Sequence, residues 1–171
     1  MRLFFGVLLD NDARNKASSV QNALIGEYDG NYTAYDNLHI TLVFIGEVDE
    51  KVSHMLVQIG DKALSGFEKF SVRAKEVNSF KDGKITHIEI EESAELHNLH
   101  DSLISLLDEA NLEYSKYDGY HPHITIRRGH KYDIGFGIDE IEIEVSRICL
   151  FESTRIDGEL RYIPVKTWGE E

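Results

Sequence analysis

The sequence predicts a mixed α and β fold in which two similar lobes share one cleft. Three observations carry that expectation. A short pattern occurs twice, His39-Ile40-Thr41-Leu42 and His123-Ile124-Thr125-Ile126, each time inside an apolar, β-branched run of strand character. The copies start at positions 39 and 123, close to half of the 171-residue chain apart. Each follows a segment of helical periodicity and a polar turn. Side chains alternate along a strand, so His39 shares a face with Thr41, and His123 with Thr125.

The elements follow in order. Leu3 to Leu9 reads as a strand. Asp12 to Tyr28 has helix character, with Asp10 or Asn11 as N-cap and Val20, Leu24 and Ile25 on an apolar stripe. Asp29-Gly30-Asn31 is a turn, and Leu38 to Ile45 is the first motif strand, closed by Gly46. Glu50 to Leu64 is a second helix with Val52, Leu56 and Ile59 inward. Phe70 to Phe80 and Lys84 to Ile90 form a hairpin about Lys81-Asp82-Gly83. Ser93 to Ala110 is the clearest helix, N-capped by Ser93, with Leu96, Leu99, Leu103, Leu106 and Leu107 on one face. His121 to Arg127 carries the second motif. Ile138 to Phe151 alternates apolar and acidic residues and reads as one half-buried strand. Asp157-Gly158 turns the chain into a last strand, Leu160 to Val165.

Composition bounds the function. The length suits a single domain over residues 1–171, built as two pseudo-symmetric lobes. No apolar run approaches a membrane span. The start, Met1-Arg2-Leu3-Phe4-Phe5, imitates a signal peptide, but its apolar stretch is short and runs into Asp10-Asn11-Asp12 without a small-residue cleavage site. Cys149 is the sole cysteine, which removes internal disulfides and Cys-based zinc sites and points to a reducing, cytoplasmic setting. A formal net charge of −13 opposes broad, sequence-independent grip on nucleic acid. Positive charge is local instead: Arg127-Arg128-Gly129-His130-Lys131 directly follows the second motif. That cluster is either a solvated turn or an anion contact, and its place beside a motif favours the second.

Paired His-x-Thr strands have a chemical logic. Histidine titrates near neutrality, so one ring can be a base while its neighbour is an acid. At a cyclic phosphate the neutral ring takes a proton from water and the charged ring gives one to the departing ribose oxygen. Threonine hydroxyls and a nearby side-chain cation stabilise charge on the non-bridging oxygens, without a metal or other cofactor. One His-x-Thr alone means little; two in matching contexts mean more.

These residues are where a family resemblance enters. The chain resembles the 2H phosphoesterase superfamily, named for two H-x-[ST]-x motifs, and within it the RNA 2′,3′-cyclic phosphodiesterases, also called 2′-5′ RNA ligases. The resemblance runs through Met1-Arg2-Leu3-Phe4, Asn37 to Val48, Tyr120 to Arg128 with its Pro122-His123-Ile124-Thr125 block, Leu150-Phe151-Glu152-Ser153, and Gly158 to Tyr162. It implies a bilobal α+β fold, two antiparallel sheets around a central cleft with helices outside. It implies hydrolysis of a terminal 2′,3′-cyclic phosphate on RNA to a 2′-phosphate, with reverse ligation as a family capability. The partner implied is an RNA end or a small nucleotide bearing that group, the protein acting as a monomer, away from membranes. His39 and His123 carry over as catalytic residues, His123 as base and His39 as acid. Thr41 and Thr125 carry over as phosphate contacts. Arg128 matches the family's basic residue three positions after the second Thr, whereas strict alternation turns Arg127 into the cleft; a bulge would bring Arg128 in instead. A phosphodiesterase for small cyclic nucleotides and a non-catalytic nucleotide-binding module are the alternatives.

Other residues read more plainly. His121 is a polar residue at a strand entrance or part of the cleft rim. His97 and His100 are i, i+3 on a helix with no supporting metal ligands, and His54 and His87 read as surface or packing residues. Tyr32, Tyr35 and Tyr120 flank the motifs and either stack on a base or close the lobe interface.

Overall fold

The computed structural model describes residues 1–170. Nine strands form two antiparallel sheets with three α-helices outside them. The first sheet has the order β3-β1-β8-β9, from β1 (Arg2–Leu8), β3 (His39–Glu47), β8 (Arg147–Ile156) and β9 (Glu159–Gly169). The second has the order β2-β6-β5-β4-β7, from β2 (Asn31–Tyr32), β4 (Phe70–Phe80), β5 (Ile85–Ile90), β6 (His123–Arg128) and β7 (Phe136–Val145).

The helices begin where short polar side chains can satisfy free backbone N–H groups. Asp10 Oδ1 accepts from the Ala13 amide at 2.8 Å and starts α1 (Asn11–Leu24). Asp49 does the same for Val52 at α2 (Glu50–Leu64), and Ser93 for Leu96 at α3 (Ala94–Glu109). Each cap contributes about 1 kcal/mol. Two of these helices then cross between sheets, while α2 stays on β8 and β9 of the first. α1, which follows β1 of the first sheet, packs on β6 and β7 of the second. α3, which follows β5 of the second, packs on β3 of the first and on α2. One continuous core, including Leu3, Phe5, Ile40, Leu56, Leu103, Ile124 and Ile143, therefore runs beneath both sheets.

The two halves repeat one order: an inner strand (β1 or β5), a capped helix (α1 or α3), then a motif strand (β3 or β6) on the inner strand's edge. Registers match as well. Gly6 lies opposite Thr41 as His87 lies opposite Thr125, and Phe4 opposite Phe44 as Ile85 opposite Arg128.

Several expected boundaries shift. The run from 138 to 151 is two strands, because the chain leaves the second sheet after Val145 and enters the first at Arg147. α1 stops at Leu24, since Ile25 takes an extended conformation and is 54 % exposed. The second motif strand begins at His123, and the turn at residues 29–31 leads into the two-residue β2, which pairs with β6.

Candidate active site

Both motif strands carry the same irregularity. In the pairing of β1 with β3, Phe5 faces Val43 and Gly6 faces Thr41, so Leu42 is an extra residue. In the pairing of β5 with β6, Thr86 faces Arg127 and His87 faces Thr125, so Ile126 is extra. Each is a β-bulge at the fourth motif position, and a bulge reverses the alternation beyond it. Leu42 and Val43 are consequently both buried, as are Ile126 and Arg127.

The bulge separates the two arginines. Arg127 turns away from Thr125 into the protein and is 0 % exposed. Its guanidinium donates to the Asp29 carbonyl at 2.9 Å, to Thr86 Oγ1 at 3.0 Å and to the His130 carbonyl at 2.6 Å, and lies over the Tyr132 ring. Arg128 returns to the face of His123 and Thr125, exposed and without an ion pair among the described residues. Its charge bears on both histidines. The matching position of the first sheet holds Phe44, with the Arg2 guanidinium 4.6 Å from its ring centroid.

β3 and β6 run beside each other, with Cα atoms of the two strands within 8 Å. The charge of His123 bears on His39 across that gap. Each Nδ1 faces a backbone carbonyl, Asn37 O at 2.7 Å from His39 and His121 O at 2.8 Å from His123. A carbonyl only accepts, so both rings carry a proton on Nδ1 and, when neutral, present a bare Nε2. Nε2 of His39 lies 2.8 Å from Thr41 Oγ1. Burial is the main cause that lowers both pKa values, His39 to about 4. The carbonyl bonds oppose the shift, and Arg128 adds to it. Burial therefore favours the neutral form of both rings.

Aromatic walls hold the rings. His39 packs among Phe4, Phe151 and Tyr162, with ring centroids 4.9, 6.3 and 5.1 Å away. His123 lies 5.0 Å from Phe80 and 5.2 Å from His87, nearly perpendicular to both. Phe80 and His87 stack on each other at 3.8 Å, so His123 sits against the side of that stack. His87, which the sequence leaves as a surface or packing residue, is packing, and what it packs against is His123. His87 is 1 % exposed, and neither ring nitrogen has a hydrogen-bond partner among the described residues. Its signal lay in the register: two positions before Glu89, which faces His123, it shares the cleft face.

The flanking residues separate as well. Tyr120 closes the interface between the halves: its hydroxyl donates to the Thr41 carbonyl at 2.8 Å, and its ring stacks on His100 at 4.4 Å. Tyr32 donates to the Tyr28 carbonyl and Tyr35 to Asn15 Oδ1. His121 is exposed, with Nε2 3.2 Å from the Asp118 carbonyl. Among the described residues no group of three or more His, Cys, Asp or Glu could hold a metal ion, and no helix is long and apolar enough to cross a membrane.

Two antiparallel sheets, crossed helices and twin bulged His-x-Thr strands define a class, and comparison with known proteins gives the same one. The family model of the 2′-5′ RNA ligase superfamily matches residues 12–155, and the chain belongs to that family. An RNA 2′,3′-cyclic phosphodiesterase of Thermotoga maritima is 26 % identical over 167 residues, covering 90 % of this chain and 87 % of that protein. A protein of the same name from Methanocaldococcus jannaschii is 31 % identical over 149 residues, 78 % of this chain and 80 % of its own length. The fold matches the crystal structure of Escherichia coli LigT in apo form with a TM-score of 0.83, at 23 % identity over 98 % of this chain and 96 % of that one.

Proposed function

We propose that this protein hydrolyses a terminal 2′,3′-cyclic phosphate on RNA to a 2′-phosphate, using His39 and His123 as a general acid and base pair. The observation that carries the reading is the pair of bulged motif strands, which turns two Nε2 atoms and the Arg128 cation toward one cleft. The names of the relatives supply the substrate class.

Nε2 of His123 accepts a proton from water, whose oxygen attacks phosphorus. The bond from phosphorus to the 3′ oxygen breaks, and protonated His39 gives its Nε2 proton to that oxygen. The phosphate stays on the 2′ oxygen. Thr41, Thr125 and Arg128 hold the non-bridging oxygens, where charge concentrates in the transition state. His39 must be charged to act, although burial lowers its pKa. The anionic substrate opposes that shift: a negative charge beside the ring favours imidazolium and offsets Arg128. The register repeated in both halves supports a single catalytic unit of two pseudo-symmetric lobes, each contributing one histidine and one threonine.

The test is product analysis. An oligonucleotide ending in 2′,3′-cyclic phosphate is incubated with the protein in excess chelator. The expected product is a 2′-monophosphate. A 3′-monophosphate would reverse the leaving-group assignment; binding without turnover would reduce the protein to a nucleotide-binding module.

A further inference from the structure

The far end of β6 holds a second concentration of positive charge that the proposed chemistry leaves unused. A groove there is lined by Gly30, Asn31, Lys84, Gly129, His130 and Lys131. It begins one residue beyond Arg128, whose Cα partners are Asn31 on one side and Ile85 on the other. Lys84 and Lys131 are exposed and form no ion pair among the described residues. Six other cations, Lys16, Lys69, Lys75, Lys166, Arg73 and Arg161, each have a carboxylate within 4 Å, whereas Lys51, Lys62 and Lys116 are unpaired among the described residues but line no shared groove with a second lysine.

The buried Arg127 supplies an independent observation. Its guanidinium is fully enclosed, yet its partners are two carbonyls and one hydroxyl, none of them a carboxylate. Burying a cation without a counter-charge is costly. Those two carbonyls, of Asp29 and His130, belong to the two loops that form the groove, so the guanidinium both braces the groove and lies behind it. Gly30 passes so close that an added Cβ would lie 2.7 Å from the Arg128 carbonyl and 3.0 Å from Arg127 Nε. The groove wall thus combines a buried cation, two glycines without side chains and two unpaired lysines. An anion seated there would supply the missing counter-charge.

We infer that this groove is a phosphate subsite for the RNA chain leading into the cyclic end, occupied by an internucleotide phosphodiester. The inference rests on the function proposed above. Across the bulge, Thr125 to Gly129 spans what His87 to Lys84 spans on the paired strand, three residues or about 10 Å. A cyclic mononucleotide held between His39 and His123 has no second phosphate to place there, whereas a short oligonucleotide does. The subsite makes the protein prefer an RNA end over a small cyclic nucleotide.

The experiment compares wild type, a Lys84→Ala/Lys131→Ala variant and a Lys51→Ala/Lys62→Ala control, which removes the same charge from exposed positions on α2. Substrates are a 2′,3′-cyclic mononucleotide and a tetranucleotide ending in the same group. Turnover and equilibrium binding are both measured between 50 and 200 mM salt. The groove variant is expected to weaken tetranucleotide binding and raise its KM about 5- to 10-fold at low salt, leaving the mononucleotide within 2-fold. The salt dependence of tetranucleotide binding falls by about 1.4 in log–log slope, for two lysines at ~0.7 per single-strand phosphate contact. The control changes neither. Unchanged tetranucleotide binding, equal losses on both substrates, or an equal loss in the control would overturn the subsite. If wild type turned over neither substrate, the proposed reaction would fail, and the binding arm would still decide the subsite.

Discussion

Replacing His87 by Phe should make this protein more stable and less sensitive to acid. The imidazole is 1 % exposed, stacked on Phe80 and without a partner at either nitrogen among the described residues. An orphaned buried polar group costs about 1–3 kcal/mol. Phenyl keeps the stack and removes the orphan, while its larger ring returns about 1 kcal/mol through tighter packing. The net expectation at pH 7.5 is a gain of about 1 kcal/mol. The pH dependence is the sharper part. Burial, then the charge of His123, lowers the His87 pKa from 6.5 to about 4. Between those values the unfolded chain binds a proton that the folded protein refuses, so stability rises with pH across the window and is lost as pH falls. At ~1.4 kcal/mol per pH unit the loss reaches about 3 kcal/mol by pH 4. His39, His123 and Arg128 are present in both proteins, so to first order their own contributions cancel in the difference. Urea denaturation of wild type and His87→Phe at pH 7.5, 6, 5 and 4 measures it. The curves should separate by a further ~3 kcal/mol between pH 7.5 and 4. Parallel pH profiles would refute the reasoning and place a hydrogen-bond partner or a proton on His87.

Other perturbations test other joints of the account. Arg128→Met should lower kcat about 10²- to 10³-fold, as expected for losing a donor aimed at developing charge. It should also move the acid limb of the pH–rate profile upward, because the Arg128 charge lowers the pKa of both His39 and His123; a limb that stays in place would put Arg128 outside the cleft. Tyr120→Phe removes the bond to the Thr41 carbonyl that ties the two halves together. It should cost about 1 kcal/mol in denaturant unfolding, and an unchanged midpoint would show that the tie carries no load.

Much of this architecture was legible because it is written locally. The caps at Asp10 and Ser93, the leucine stripe of α3, and the twin motifs each lie within one element and obey its period. What stayed hidden depends on partners far along the chain. Ile141, Ile143 and Val145 alternate strictly, but Ile148 follows three positions on, and that break at Ser146 and Arg147 is where the backbone passes from one sheet to the other; it is one residue long and easily read through as a single strand. The choice between Arg127 and Arg128 could not be made from alternation, because the bulge at Ile126 is set by its pairing with β5. Arg127, which strict alternation turns into the cleft, is instead the largest fully enclosed side chain among the described residues. His87 sits between Thr86 and Ile88 in an unremarkable strand, and only the register against Thr125 and the stack on Phe80 bring it to the cleft.

The central claim is that two imidazoles transfer protons at one phosphorus atom. Single-turnover hydrolysis of a cyclic-phosphate oligonucleotide by His39→Ala and His123→Ala, with binding of the 2′-phosphate product measured in parallel, tests it most directly. Each substitution should slow the chemical step about 10²- to 10⁴-fold while product affinity changes far less. A variant that keeps the wild-type rate, or loses rate only as it loses affinity, would contradict the account.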